Sequence, residues 1–560
     1  MTNKNGIPRG LRARDQAIAR AQPLEDVLSD TDRPKQERWV SGRAARVLLC
    51  ASGVSFMIML DSNIVAVSLP AIARNLNAAF ADIEWVVSAY ILTFAALLMP
   101  AGALADRFGR RRLLTFGLVL FTLASLLCGL APTTTVLNAA RALQGIGAAI
   151  QLSAALAVLG HTFRGPDRSK AFAFWGTVIG VAVALGPLVG GLITSAFGWR
   201  YAFFVNVPVG IGLLLLALAS VEESGDPDAQ RLDLAGMALF GTGLFALVWA
   251  LIDANGDGWS SRPTVVKLVA ASILLCLYVV AELVQRRPMV DFGLFRKRTF
   301  LGSSFAMLGF ASAAQVMMTY LPLYLQNSFG YSPAEAGVRM LPFALPLFFF
   351  PRVAAALAAR ISGRMLLTIG LVIVVAGNLL TALVVATQEP FLVVAIGMVI
   401  TGCGAGLLNG ETAKVSMSVI PPERSGMASG IGGTLRFVGL VTGITGLGAI
   451  LTDETQHYFL QAAANAQLGP LASGTSDPLV SRIIAGDLAG VVAQTPVAAR
   501  DTMLDIGRLS FGGGFSAVLL AAAAIAAISA LLTVIFVDAA DTAPHRSDEI
   551  LESALEDSLD

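Results

Sequence analysis

The chain has 560 residues, of which 55% are hydrophobic and only 14% charged, and its mean hydropathy is +0.71. A soluble domain carries roughly a quarter charged residues, so a water-soluble globular fold is excluded. The formal net charge is +1 and the arginines are scattered over short loops, which excludes a nucleic-acid-binding face.

In chain order, residues 1–43 are polar and basic, with no cleavable signal peptide, and read as a cytoplasmic tail against anionic lipid. Apolar runs of about 20 residues then follow, each long enough to cross about 30 Å of hydrocarbon. They fall near 44–70, 84–105, 113–131, 135–158, 171–196, 201–221, 233–252, 264–284, 299–321, 336–358, 365–386, 391–415, 427–452 and 509–537. The expected fold is an all-α integral membrane protein with about 14 transmembrane helices. Alternate loops are rich in arginine, among them those holding Arg164 and Arg168, Arg231, Arg286 and Arg287, and Arg424. By the positive-inside rule these loops and both tails lie in the cytoplasm. Residues 453–508 form one long outside segment that is either an amphipathic hairpin or unstructured, and residues 538–560 form an acidic cytoplasmic tail.

An internal repeat is visible. Leu104 to Arg111 aligns with Leu357 to Arg364, Gly145 and Gly147 align with Gly402 and Gly404, and Pro166 to Ser169 with Pro422 to Ser425. The common order implies two six-helix halves, 44–221 and 299–537, with two helices inserted within 222–298. The repeat also fails in places. Asp106 faces Ala359, Arg141 faces Met398, and Gly186-Pro187 faces Gly443-Ile444. The coupling machinery is therefore expected in the first half and the substrate cavity mainly in the second.

Ionisable residues inside spans are costly and mark function. Asp61 lies in the first span, in Leu60-Asp-Ser-Asn-Ile-Val-Ala-Val-Ser-Leu-Pro70, about nine residues from its outer end. Arg141 lies about two turns inside the fourth, at similar depth. An arginine keeps its proton, so it can tune a titrating acid. Glu411 has Lys414 at i+3 and reads first as a local ion pair, while Arg436 lies deeper in its span. Asn63, Tyr90, Phe94, Gln144, Trp175, Gln315 and Tyr320, with Glu411 and Arg436, are candidates to line a substrate cavity. The four cysteines stand alone in apolar runs, the three histidines are far apart, and no nucleotide-binding, metal or catalytic pattern appears. The expectation is a non-enzyme without cofactor or metal, driven by an ion gradient.

Several stretches carry a family resemblance. The loop Gly102-Ala-Leu-Ala-Asp106-Arg107-Phe-Gly109-Arg110-Arg111-Arg112 resembles the signature between helices 2 and 3 of the major facilitator superfamily. The Asp61 stretch resembles the L-D-x-T-I-V-N-V-A-L-P signature of its fourteen-helix drug:proton antiporters, departing at Asn63, Ala66 and Ser68. Arg141-Ala-Leu-Gln144-Gly145-Ile-Gly147 is similar to the helix 4 signature, whose arginine is implicated in proton coupling. Gly180, Gly186, Pro187, Gly190 and Gly191 resemble the helix 5 signature associated with export. Trp199 to Pro208 and Tyr320 to Gly337 also look like the fourteen-helix family.

The resemblance implies a major facilitator fold in the cytoplasmic membrane. It implies proton-coupled efflux of small amphipathic compounds, cationic ones among them, by alternating access. Asp61 and Arg141 would couple protons, and Gly102, Asp106, Arg107, Gly109, Arg110 and Arg111 would form a gating loop. Asp106 would latch the inner side, where Ala359 cannot. Small molecules, protons and lipid are the implied partners, with a monomer expected and an outside adaptor protein left open. Two other readings stand beside it: an exporter of one metabolite or self-made antibiotic, and a membrane sensor with this fold.

Overall fold

The computed structural model describes residues 42–225, 233–285, 288, 290–420, 425–466 and 476–542. Most of the expected tails (1–41 and 543–560), and the loop residues Arg231, Arg286, Arg287 and Arg424, lie outside the described residues. Residues 1–46 and 47–560 are separate compact units, and the first is described only as the opening turns of α1. Among the described residues there are helices and turns but no strand. In lipid every backbone polar group must bond internally, and helices do this within one segment.

Among the described residues fourteen helices are long and apolar enough to cross a membrane. They are α1 Gly42–Leu76, α2 Phe80–Phe108, α3 Arg110–Leu130, α4 Thr134–Thr162, α5 Gly165–Phe197, α6 Tyr201–Ser220 and α7 Leu234–Asp257. They continue as α8 Arg262–Val284, α9 Arg298–Asn327, α10 Pro333–Ala358, α11 Gly363–Ala386, α12 Phe391–Met417, α13 Ser425–Asn465 and α14 Arg500–Phe536. Each overlaps its expected span. Side-chain caps begin several of them. Thr133 accepts from Val136 N, Asp233 from Gly236 N, and Ser332 and Glu335 form a reciprocal capping box at the start of α10.

Helix ends differ most from expectation. α1 continues through Pro70 to Leu76, so Asp61 lies deeper than an end at Pro70 implied. Much of 453–508 belongs to helices. α13 runs to Asn465, α14 starts at Arg500, and the short helices Ser476–Ala485 and Leu488–Gln494 lie between. This segment caps one end of the bundle. Arg74 Nη1 donates to Gly486 O at 2.8 Å, Phe80 N to Ser481 Oγ at 3.0 Å, and Asn327 Nδ2 to Ile484 O at 3.1 Å.

The repeat reappears as packing. A Cβ built on Gly145 would lie 2.3 Å from Tyr90 O of α2, and one on Gly402 would lie 2.4 Å from Phe343 O of α10. Gly147 sits against Phe121 N of α3 at 2.7 Å, and Gly404 against Gly370 O of α11, also at 2.7 Å. Both halves therefore use glycine to bring their fourth helix onto their second and third.

The halves close on each other at the end capped by 453–508. A Cβ on Gly191 would lie 2.2 Å from Pro333 O, and one on Gly337 would lie 2.4 Å from Pro187 O. Ala334 N donates to Ser195 Oγ at 2.9 Å, and Gln326 Nε2 to Val67 O at 2.9 Å. Further along α5 a Cβ on Gly180 reaches Phe348 at 3.0 Å, but one on Gly176, a turn nearer the 102–112 loop, meets nothing within 4 Å. The α5–α10 seam is shut at the capped end and parts toward the loop end.

The inserted pair α7–α8 lies outside the two halves. Trp85 meets Phe245 at 5.8 Å between centroids, and Leu239, Phe240 and Tyr278 pack with Met99 of α2 and with Ala428 and Ile431 of α13. Trp249 is 42% exposed and stacks under Lys267, which pairs with Asp253. A cysteine at position 249, in a background lacking the four native cysteines, should react with a lipid-phase maleimide while transport stays within twofold of the parent. Substrate protection of that cysteine would place α7 in the transport path instead.

The closed seam makes a second prediction. Gly337→Val forces a side chain into the Pro187 carbonyl, so the capped end should loosen. A cysteine replacing Ser195 should then react with an impermeant maleimide at least several-fold faster than in the Gly337 parent. Unchanged labelling would show that the seam does not depend on this contact.

Candidate functional site

The chemistry gathers around Asp61, whose side chain is 0% exposed in the middle of α1. Arg141 Nη1 on α4 donates to its Oδ2 at 2.8 Å. Gln144 Nε2 and Asn206 Nδ2 donate to its Oδ1 at 2.9 and 2.6 Å. Gln144 also donates to Ser125 Oγ at 2.8 Å and accepts from Arg141 Nη1 at 2.6 Å. Arg141 Nε donates to Val86 O at 2.9 Å, and its guanidinium lies 4.1 Å from the Tyr90 ring centroid. Helices α1, α2, α3, α4 and α6 thus converge on one carboxylate, all from the first half.

The local sequence explains this convergence. Arg141 and Gln144 are i,i+3 on α4 and share a face. Gly145, beside them, lets α4 approach α2 closely enough for Tyr90 to cover the guanidinium. A buried charge is tolerable only when paired and hydrogen-bonded, and Asp61 has three donors. Protonation of Asp61 removes the negative charge and leaves a cation that cannot lose its own.

Next to this network lies a cavity between the halves, about 60 Å³ in volume. Asn63, Tyr90 and Phe94 line it from the first half, and Gln315, Arg436 and Phe437 from the second. Drug-sized sites are about 300–1,000 Å³, so the cavity is contracted in this state. Phe94 and Phe437 meet edge-on across it at 4.3 Å. Arg436 Nε donates to Gln315 Oε1 at 2.8 Å, and Gln315 ends a π-helical turn, Ala311–Gln315, that interrupts α9.

Four expected cavity residues are placed elsewhere. Gln144 is fully buried and serves Asp61, because its rotation about α4 follows that of Arg141. Tyr320 is buried against α13, its hydroxyl donating to Ile444 O at 2.5 Å. Trp175 Nε1 donates to Ser55 Oγ of α1 at 2.8 Å. Glu411, beyond the helix break at Gly410, is 3.4 Å from Lys414 and does not line the cavity.

At the 102–112 turn the backbone of Asp106 is helical, and its side chain lies outside the described residues. Gly109 has φ of +105°, and a Cβ there would lie 2.4 Å from Glu223 Oε1, so glycine is required. Arg111 N donates to Glu223 Oε1 at 3.2 Å and Arg111 Nη2 to Leu218 O at 2.9 Å, while Arg112 lies 3.5 Å from Glu223. Arg111 is therefore tied to its own half by the segment after α6, an anchor the sequence reading did not include. Arg107 lies over Phe108 at 5.4 Å, and Gly102 meets no neighbour within 4 Å. Of the α5 glycines, Gly186 and Gly190 pack on Asn63 and Ile64 of α1, and Gly191 faces α10.

Sequence reasoning missed Asn206, a partner of the acid, and Ser125, which accepts from Gln144 and Asn206 behind it. Asn206 carried a usable signal, since an amide inside an apolar span needs a partner. Ser125 carried none, because serine bonds readily to its own helix, as its hydroxyl does to Phe121 O at 2.8 Å.

A bundle of two repeated six-helix halves, with a buried acid–arginine pair in one and a cavity between them, is the architecture of a secondary transporter. The family model described as Major Facilitator Superfamily matches residues 51–444, and the chain belongs to that family. It is 34% identical to the "Multidrug resistance protein Stp" of Mycobacterium tuberculosis, over 87% of this chain and 91% of that protein. It is 29% identical to the "Tetracenomycin C resistance and export protein" of Streptomyces glaucescens, again over 87% and 91%. The solved inward-facing bacterial homolog of the human lysosomal transporter Spinster has the same fold. It aligns with a TM-score of 0.60 at 18% identity, over 90% of this chain and 99% of that one.

Asn206→Ala should cost about 1–3 kcal/mol, the usual penalty for stranding a buried polar group. Arg141→Leu should cost more, about 3–5 kcal/mol, because it leaves a buried charge unpaired. Thermal unfolding in detergent orders the two, and an Asn206→Ala variant as stable as the parent would remove Asn206 from the network.

Proposed function

We propose that this protein exports small amphipathic compounds from the cytoplasm in exchange for protons, by alternating access. The observation that carries the reading is the Asp61–Arg141 pair, sealed from solvent and one helix face away from the cavity. The arginine-rich 102–112 turn supports a cytoplasmic position for its end of the bundle. The capped, closed end is then the outside, and this conformation faces inward. In the cycle Asp61 accepts a proton when the outer seam opens and releases it inward when the seam closes. Protonation breaks the carboxylate's hold on Arg141, Gln144 and Asn206, and that change biases the packing of α1 against α4 and α6. Proton binding and substrate release are then linked through one two-state equilibrium. The relatives named for resistance and export support an outward direction of transport.

A narrower reading has its own support. Relatives also include the "Puromycin resistance protein pur8" of Streptomyces alboniger, 34% identical over 78% of this chain, which is named for a single antibiotic. An export panel separates the two readings by breadth.

Asp61→Asn should abolish proton-driven efflux from proteoliposomes while the protein still elutes as a folded species. The amide keeps the size and one acceptor but cannot titrate. Proton-driven efflux at the parent rate in this variant would remove Asp61 from the mechanism.

A further inference from the structure

The cavity between the halves carries one formal charge, and it is positive. Of its lining residues only Arg436 is charged, and no aspartate or glutamate is among the described residues that line it. Two acids of the spans are engaged elsewhere. Asp61 is held by Arg141, Gln144 and Asn206, and Glu411 is paired with Lys414. The Asp61–Arg141 pair is neutral as a unit, and Arg436 is the charged residue of the lining itself.

Arg436 is also incompletely used. Nε donates to Gln315 Oε1, and the guanidinium lies 5.4 Å from the Phe310 ring centroid. Its two terminal nitrogens make no hydrogen bond, and it forms no ion pair, among the described residues. A guanidinium has five donors in a planar fork that matches a carboxylate. Placing one in a span is costly, and among the described residues no ion pair of Arg436 offsets that cost. Gln315 fixes the remaining fork in orientation, and the π-helical turn that ends at Gln315 is the kind of helix defect often found at binding sites.

The walls on either side are aromatic. Tyr90 and Phe94 stack at 6.1 Å in the first half, and Phe437 meets Phe94 edge-on from the second. Asn63 and Thr319 add hydrogen-bonding groups at the edge. When the halves part, these rings present faces to a flat molecule and Arg436 presents a charge to its acidic substituent.

We infer that the transported substrate class is planar aromatic anions, bound through a carboxylate or phenolate on Arg436 and stacked on Tyr90, Phe94 and Phe437. The inference rests on the proposed export reading for its biological sense, but the binding site itself does not require transport. It narrows the amphipathic class and disfavours planar cations, which would meet an unscreened arginine.

The test uses the full chain in lipid nanodiscs at pH 8, with fluorescein as the anionic probe and ethidium as a planar cation. Anisotropy titrations should show fluorescein binding at least tenfold more tightly than ethidium. Arg436→Gln should weaken fluorescein at least tenfold, and Arg436→Lys should recover part of the loss, since the charge returns without the fork. Equal affinity for the two dyes in the parent protein overturns the inference, and that comparison needs no variant. Arg436→Gln binding fluorescein within twofold of the parent also overturns it. Proteoliposomes with an imposed proton gradient keep the two readings apart. Fluorescein binding without gradient-driven flux would sink the export reading and uphold the anion site. Flux of ethidium without flux of fluorescein would do the reverse.

Discussion

Everything in the first half is arranged around the cost of one buried carboxylate. An acid in a span is destabilising unless a cation and further donors reach it. Arg141 supplies the cation, and Gln144 and Asn206 supply the donors, so α1, α4 and α6 are fixed in rotation as well as position. The glycines of α4 are the geometric condition for this. Any side chain at Gly145 would collide with the Tyr90 carbonyl and push Arg141 away from both Tyr90 and Asp61. Packing and chemistry are the same constraint here, since the contact that lets α4 seat is also the one that pairs the charge.

The second half keeps the packing and discards the charge. Gly402 and Gly404 seat α12 as Gly145 and Gly147 seat α4, but the position of Arg141 is taken by Met398, which is buried at 1% exposure. With no acid to serve, the helices of this half are free to place polar groups toward the cavity instead. Arg436 and Gln315 do this, on α13 and α9. Two copies of one scaffold differ in this respect: one buries an acid–arginine pair, and the other turns an arginine and a glutamine toward the shared cavity.

How much of this was legible follows from which physical rule each feature obeys. The fourteen spans were readable because hydrocarbon thickness sets a minimum apolar length and forbids unbonded backbone. The pairing of Asp61 with Arg141 was readable from depth alone, through a fixed rise per residue. Rotation about a helix axis was harder to read. Gln144 and Tyr320 were expected in the cavity, and both face the interior of the helix packing. Asn206 belongs to a stretch that was noticed for its resemblance and not for its amide. The segment 453–508 was ambiguous because short helices such as Ser476–Ala485 are fixed by bonds to Arg74 and Phe80, some 400 residues away in the chain. No local pattern records such partners.

The placement of α7 and α8 has a consequence for how a solute reaches the cavity. Two six-helix halves face each other along two vertical seams, one between α2 and α13 and the other between α5 and α10. The inserted pair lies over the first seam and packs on both α2 and α13. A hydrophobic molecule dissolved in the bilayer therefore finds that side shuttered. Among the described residues the α5–α10 side carries no such cover, and toward the loop end a Cβ on Gly176 would meet no neighbour within 4 Å. The two extra helices thus cover one of the two seams and leave the other bare.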